Sequence, residues 1–151
     1  MIRALAYIGL FYVVYRLAKK GVDMTEDQTL YMAKTIFGEA RGESQNGQIA
    51  IGHVILNRVK AGGWYGASIK DVVLKPYQFS CWNQGDVNRE LIINKTSQQL
   101  LPYYELSKKI INGTIPDNTG GATHYHAKSV TPYWAASMTK TATIGNHIFY
   151  A

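Results

Sequence analysis

The chain has 151 residues, 46% of them hydrophobic and 17% charged, which predicts one compact domain and excludes a disordered chain. Sixteen Lys and Arg against ten Asp and Glu give a formal net charge of +6, which favours an anionic partner. Because the basic residues form no dense run beyond the pairs Lys19–Lys20 and Lys108–Lys109, we expect no binding to nucleic acid.

Residues 1–20 form the first predicted element, a membrane-directed or signal-anchor segment. An unbroken apolar run extends from Ala4 to Tyr15, with Arg3 before it and Arg16 after it. A helix of that length covers about 18 Å, whereas the hydrocarbon core of a bilayer is about 30 Å thick. A short anchor, a cleaved signal peptide and a buried first helix therefore all stay open as interpretations.

Residues 25–151 are predicted to form the catalytic domain, and its first helix is expected to run from Thr25 to Glu39. Thr25 and Gln28 have the spacing of a capping box, and apolar residues then recur at helical intervals. Glycines on both sides of residues 39–41 indicate the end of this helix. Glu39 is therefore expected at a helix terminus that faces a loop.

Three further helical segments are predicted. The stretch from Gln45 to Lys60 is apolar on most of its faces, which is typical of a central, buried helix. A short turn of helix is expected between Ser68 and Pro76, and a long helix from Leu100 to Ile111. The connecting stretch from Tyr77 to Asn88 is predicted to be a loop.

The pattern changes from Asn118 onward to Gly, Thr and aromatic residues. Residues 139–144 and 147–150 flank the pair Gly145-Asn146, which is typical of a β-hairpin turn. The predicted fold class is therefore α+β, mainly α, with a small C-terminal β-hairpin.

Glu39 is the first candidate for chemistry. Cleavage of a glycan needs a carboxylic acid that is still protonated near neutral pH, so that it can protonate the leaving sugar. At the end of an apolar helix, partial desolvation of Glu39 would favour the protonated acid, and the flanking glycines would leave room for a sugar ring. Taken alone, the local sequence fits an ordinary solvated glutamate better, because most carboxylates are exposed.

A series of motifs in fixed order decides between these two interpretations. The motifs are FGEARGE at 37–43, GQ at 47–48, VILNRV at 54–59, QFSCW at 78–82, GGATHYH at 120–126, PYW at 132–134 and IGNHIFY at 144–150. Together they extend from about Leu30 to Tyr150 and resemble the signature of the SleB-type cell-wall hydrolases, which comprise the spore cortex-lytic enzymes and their phage relatives.

The resemblance implies a lysozyme-like domain that acts as a lytic transglycosylase on the glycan strands of peptidoglycan. In that chemistry one glutamate, matched here by Glu39, acts first as acid and then as base while the 6-hydroxyl of MurNAc attacks its own anomeric carbon. No cofactor and no metal are implied. No peptidoglycan-binding repeat like that of the cortex-lytic members is recognisable, which favours a phage or bacterial wall lysin over a spore-specific enzyme.

The same interpretation predicts a location in the periplasm or cell envelope. If residues 1–20 are an anchor, the protein is attached to the inner membrane, and the phage virion is the alternative location. Peptidoglycan strands are the expected partner in each case.

A second group of residues is predicted to bind the sugar, because aromatic rings and polar groups in loops hold sugars by stacking and hydrogen bonding. For Phe79, packing in the core is weighed equally, and for Glu43 a salt bridge to Arg41 or Arg58 is favoured over a catalytic role. Tyr125 is preferred over Trp134 as a groove residue, since Trp134 is as plausible in the core. The predicted binding residues are Glu43, Gln78, Phe79, Trp82, His124, Tyr125 and His126.

Two alternatives concern the reaction itself. A muramidase or glucosaminidase that uses water would need a second carboxylate roughly 5 to 9.5 Å from the catalytic acid, for which Glu43, Asp71 and Asp86 are the candidates. A wall-binding or virion structural protein would use the same groove without cutting.

Two others concern different chemistry. His124, His126 and His147 suggest a zinc site, but the chain lacks an HExxH helix and cysteine ligands, so structural or substrate-binding roles are favoured. Cys81 with one of these histidines suggests a thiol peptidase, although a lone thiol is most often a small buried apolar group.

Overall fold

The computed structural model describes residues 26–151. Its helices are α1 (Glu26–Ala40), α2 (Gln45–Ala61), α3 (Ile69–Leu74), α4 (Val87–Ile92) and α5 (Leu101–Ile111), and its strands are β1 (His124–Ala127), β2 (Lys140–Ile144) and β3 (His147–Tyr150). Single 3-10 turns lie at Gly63–Tyr65, Ser80–Trp82 and Tyr133–Ser137. The predicted α+β, mainly α fold is confirmed. The predictions for residues 1–20 and for Thr25 as a cap lie outside the described residues.

Helix α2 is the central element of the helical part. Ser44 caps its start by accepting a hydrogen bond from the Gly47 N–H, and Gly62 ends it with a φ of 65°. The helix is buried on most of its surface, as its apolar sequence predicts, and α1, α3 and α5 all pack against it. A Cβ on Gly52 would lie 2.7 Å from Cδ1 of Ile110, so α5 approaches α2 as closely as a glycine allows.

The three strands form one antiparallel sheet in the order β1-β3-β2. The predicted hairpin is confirmed as β2 and β3, joined at Gly145, which has a φ of 55°. Strand β1 pairs with the other edge of β3, with Tyr125 opposite Phe149. Phe149 is fully buried and belongs to the core, so the sheet is attached to the helical part through this strand.

The predicted loop from Tyr77 to Asn88 is more structured than its sequence indicates. It contains the 3-10 turn at Ser80–Trp82, and α4 begins within it at Val87. Asp86 caps α4 by accepting a hydrogen bond of 2.8 Å from the Asn88 N–H. Across residues 26–151, no helix combines the length and the apolar character that crossing a membrane requires.

Candidate active site

The Glu39 carboxylate lies at the centre of the candidate site. Glu39 is half-buried in the last turn of α1, as predicted. Its Oε1 accepts hydrogen bonds from the Cys81 backbone N–H at 2.9 Å and from the Ser80 hydroxyl at 3.4 Å. Its Oε2 accepts a hydrogen bond from the Tyr125 hydroxyl at 3.2 Å. All three donors are uncharged, so they orient the carboxyl group without pairing it with a cation.

Gly38 allows the loop that carries Ser80 and Cys81 to approach α1. A Cβ at Gly38 would lie 2.6 Å from Cβ and 2.8 Å from Sγ of Cys81, which is closer than a side chain permits. The motif glycine next to Glu39 thus brings the donors of the loop to the carboxylate. Cys81 itself is fully buried.

The Cys81 thiol is unsuited to act as a nucleophile. Burial, together with the nearby negative charge of Glu39, raises the pKa of Cys81 far above its usual range. The group therefore stays a neutral thiol, whereas a nucleophilic cysteine has to be a thiolate. This argues against the thiol-peptidase alternative.

Tyr125 connects the sheet to helix α1. Burial, and then the charge of Glu39, raises the pKa of Tyr125 well above its usual value, so its hydroxyl stays protonated and keeps donating to Glu39. Its ring is stacked on Phe149 at 5.8 Å and meets the edge of His147 at 5.5 Å. The predicted groove position of Tyr125 is thus next to the candidate acid.

Arg58 is a buried cation next to the loop that carries Gln78, with 7% of its surface exposed. Its Nε donates to the Thr123 carbonyl at 2.8 Å, and its Nη1 donates to Oε1 of Gln78 at 3.1 Å. Its guanidinium lies 4.9 Å from the centre of the Phe79 ring. Burial lowers the pKa of Arg58, while the charge of Glu39 is among the influences that oppose this shift. Arg58 therefore joins β1 to the loop.

Glu43 is paired with the turn of the hairpin. Its Oε1 lies 3.7 Å from Nδ1 of His147 and accepts a hydrogen bond of 3.4 Å from Nδ2 of Asn146. The favoured salt bridge to Arg41 or Arg58 is wrong. The guanidinium of Arg41 donates to the carbonyls of residues 37 and 38, which helix α1 leaves free at its end, and Arg58 is buried elsewhere.

The three residues predicted from the QFSCW motif mainly support the loop. The Gln78 amide donates to the Tyr65 carbonyl at 3.0 Å and accepts from Arg58, so both of its ends are occupied. Phe79 is 1% exposed and packs in the core, where its ring cannot stack on a sugar. The indole N–H of Trp82 donates to Oγ1 of Thr35 at 2.9 Å. The binding role predicted for Phe79 is therefore corrected, because the core takes up its ring.

His124 and His126 lie on one face of β1, as their alternation predicts, and both rings contact Trp134. His126 is buried, with Nδ1 at 2.8 Å from the Ala127 carbonyl and Nε2 at 3.0 Å from the Tyr150 hydroxyl, so it holds the sheet together. Burial, and then the charge of Arg58, lowers the pKa of His124. In the part of the chain that the structure describes, no group of three or more His, Cys, Asp or Glu residues could hold a metal ion.

Two donors to Glu39 were missed by the sequence analysis, namely the Ser80 hydroxyl and the Cys81 N–H. The QFSCW motif drew attention to its aromatic and amide side chains, but a backbone donor leaves no trace in the residue type. The glycine at position 38, next to Glu39, is the sequence feature that could have indicated a close approach of another segment at this point.

Comparison with known proteins identifies relatives of the chain. The family model described as cell wall hydrolase matches residues 42–150, and Glu39 lies just before that range. The spore cortex-lytic enzyme of Bacillus cereus is 32% identical over 78% of the chain, and that of Halalkalibacterium halodurans is 31% identical over the same share. The chain spans only 42% and 33% of the lengths of these two relatives.

Two solved structures have a similar fold. The catalytic domain of the Bacillus cereus SleB protein has a TM-score of 0.69 and 28% identity, over 84% of this chain and 91% of that one. The catalytic domain of the germination-specific lytic transglycosylase SleB of Bacillus anthracis gives the same TM-score and identity, over 85% and 98%. The family match, the relatives and the shared fold together lead to one conclusion: the chain belongs to the cell wall hydrolase family.

Proposed function

We propose that the chain is a peptidoglycan lytic transglycosylase, which cleaves the β-1,4 bond between MurNAc and GlcNAc with Glu39 as its single catalytic acid and base. The observation that carries the proposal is the half-buried Glu39 carboxyl group, which three uncharged donors orient. The similarity to a domain described as a lytic transglycosylase supports the same reaction.

The reaction takes place in two proton transfers. Protonated Glu39 first gives its proton to the bridging oxygen, while the bond from that oxygen to C1 of MurNAc breaks and GlcNAc leaves with a free 4-hydroxyl. The Glu39 carboxylate then accepts the proton of the MurNAc 6-hydroxyl, while the oxygen of this hydroxyl forms a bond to C1. The proton lost in the first step is regained in the second, and the product ends in a 1,6-anhydro sugar.

The surroundings of the other carboxylates favour one catalytic glutamate over two. Glu43 is paired with His147 and Asn146, and Asp86 caps α4. Asp71 is exposed in the first turn of α3, where it accepts a hydrogen bond from the Ala67 N–H at 3.4 Å. Each of the three candidates for a second carboxylate thus has a structural contact of its own, which is compatible with Glu39 as the single catalytic glutamate.

The products distinguish the two reactions. We expect digestion of purified peptidoglycan to release muropeptides that weigh one water less than reducing ends, as mass spectrometry would detect. In water enriched in the heavy isotope of oxygen, the new ends should carry no label. Labelled reducing ends would contradict the proposal and identify a hydrolase, and a zymogram with no clear zone would indicate binding without cleavage.

Peptidoglycan lies in the cell envelope, and we propose the envelope as the place where the protein acts. If residues 1–20 anchor the chain, fractionation of cells before lysis should recover the protein with the inner membrane. Recovery of all the intact protein in the soluble fraction would contradict the anchor without affecting the reaction proposed for Glu39.

A further inference from the structure

Two large aromatic side chains that the proposed reaction does not use stand exposed. Trp64 is 69% exposed and Tyr77 is 88% exposed. Aromatic rings of this size are usually buried, and an exposed ring beside a cavity commonly marks a binding surface. Tyr77 also has a φ of 66°, in the left-handed region that side chains other than glycine rarely adopt. Such backbone conformations occur preferentially at functional positions.

An open cavity of about 460 Å³ lies beside Trp64. It is lined in part by Lys70, Asp71, Leu74 and Lys75, so two lysines and one aspartate border it together with apolar residues. The ammonium group of Lys70 lies 5.2 Å from the centre of the Tyr31 ring. Ligand sites commonly have volumes of about 300–1,000 Å³ with a few polar groups among apolar ones. The cavity therefore has the size for a sugar residue or a short peptide segment, and its net charge favours an anionic ligand.

Trp64 is fixed in place before any ligand binds. The ammonium group of Lys75 lies 4.0 Å from the centre of its ring and also donates a hydrogen bond to its carbonyl. The ring meets the edge of Tyr65 at 5.6 Å. Gly66 packs the loop tightly onto α3, since a Cβ there would lie 2.9 Å from Cβ of Asp71. A rigid platform loses little conformational freedom on binding, which favours affinity.

The loop from Tyr77 to Asn88 leads to the Glu39 carboxylate. The Lys75 side chain donates to the Trp64 carbonyl and the Gln78 side chain donates to the Tyr65 carbonyl, so these two side chains connect the two segments. Three residues after Gln78, the Cys81 N–H donates to Glu39. Three extended residues span at most about 11 Å. Gln78, whose side chain bonds the carbonyl of the residue after Trp64, thus lies within about 11 Å of the residue that donates to Glu39. A strand of several sugars with its scissile bond at Glu39 is long enough to extend toward Trp64.

We propose that Trp64, Lys70, Leu74 and Lys75 form a distal subsite for the peptidoglycan strand, away from the bond that is cut. A sugar ring stacks on the open face of Trp64, and a carboxylate of the peptide stem pairs with the ammonium groups of Lys70 and Lys75. Asp71 accepts hydrogen bonds from sugar hydroxyl or amide groups. The proposal rests on the proposed function, because it assumes that the same strand occupies both places.

Binding to insoluble peptidoglycan tests the stacking. All variants carry Glu39→Gln, so that the wall is not cut during the measurement. Trp64→Ala should weaken binding about five- to tenfold, and Trp64→Phe, which keeps a ring, should recover part of that loss. Val87→Ala is the matched control, since Val87 is 77% exposed on α4. If Trp64→Ala binds as tightly as Val87→Ala, the subsite is refuted.

A second measurement tests the carboxylate. Lys70→Gln should weaken binding to intact peptidoglycan about threefold, as expected for the loss of one partly exposed ion pair. The effect should vanish on glycan strands whose peptide stems have been removed by an amidase, and Lys109→Gln on α5 is the control. An equal effect of Lys70→Gln on both materials would overturn the pairing with the stem.

The two proposals fail separately. If the unmodified protein releases no muropeptides but Trp64→Ala still weakens binding, the subsite stands and the catalytic proposal falls. If muropeptides are released but Trp64→Ala binds like its control, the reverse holds.

Discussion

Glu39 and Glu43 belong to the same motif, yet their surroundings differ. The Glu39 carboxylate, in the last turn of α1, accepts hydrogen bonds from a backbone N–H and two hydroxyl groups. The Glu43 carboxylate, one turn of chain later, lies between Asn146 and the imidazole of His147. The oxygens of Glu39 thus face uncharged donors from the loop and from β1, whereas those of Glu43 face the turn of the hairpin.

The two glutamates differ in what their contacts can do. The three donors fix the direction of the Glu39 carboxyl group, as the transfer of a proton to a positioned substrate oxygen requires. Glu43 also fits closely against the hairpin, because a Cβ at Gly145 would lie 2.9 Å from its Oε2. The structure thus gives Glu43 the environment of a residue that fastens the sheet to the helices.

The largest expected effect separates the two glutamates directly. Glu39→Gln should slow the lysis of purified cell walls by about a thousandfold or more, because the variant cannot transfer a proton. Glu43→Gln should keep the rate within about tenfold and lower the free energy of unfolding by about 1 kcal/mol, since it weakens one contact of the hairpin. The loss of turbidity of a wall suspension measures the rates. A folded Glu43→Gln protein as inactive as Glu39→Gln would remove the distinction.

The two glycines that flank Glu39 provide the next test. Gly38→Ala should lower the free energy of unfolding by about 1–3 kcal/mol and reduce lysis, because the added methyl group displaces Cys81 and its N–H donor. Gly42→Ala should change stability by less than about 0.5 kcal/mol, as no atom lies within 4 Å of a Cβ there. Urea unfolding measures both. Equal stability of the two variants would contradict the close contact at Gly38.

Tyr125 contacts both regions, with its hydroxyl on Glu39 and its ring on His147. Tyr125→Phe removes the hydroxyl alone and should lower kcat/KM about tenfold, since hydrogen bonds to charged groups contribute about 1.5–3 kcal/mol. Tyr150→Phe is the control, because it removes a hydroxyl that bonds His126 within the sheet. It should cost about 1 kcal/mol of stability with little change in rate. Similar losses of kcat/KM in both variants would show that the loss comes from a disturbed sheet and not from the missing hydrogen bond to Glu39.

The smallest effect is expected for the thiol of Cys81. Its raised pKa and its burial should protect it from an aromatic disulfide reagent in the native protein near neutral pH. Lysis should therefore continue at the same rate after incubation, and the absorbance of the released thiolate should rise only when a denaturant is added. Rapid labelling with loss of activity would reopen a role for this side chain.

Much of the helical part could be predicted because its signals are local. The cap at Ser68 marks the start of α3 by a hydrogen bond within a few residues. The position of Glu39 at the end of α1 followed from the same kind of signal. Helix α4 was missed, although it is as long as α3, because Arg89 stands three residues after its cap Asp86, where the cap of α3 is followed by an acidic residue.

The partners of the site residues could not be predicted in the same way, since they depend on contacts between distant parts of the chain. Arg58 was expected near Glu43, but it donates to Thr123 and Gln78 in the interior. Phe79 could equally have faced a sugar or the core, and only the packing of the whole domain decides that. The pairing of β1 with β3 has no local sequence signal, and it is this pairing that brings Tyr125 to Glu39.

The position of β3 between β1 and β2 has a consequence for the order in which the protein is made. Tyr125 leaves the ribosome before residues 147–150, yet the strand that carries it gains its partner only when those residues have emerged. The nascent chain therefore lacks one donor to Glu39 until synthesis has passed the hairpin. Full catalytic capacity should arise only after that point.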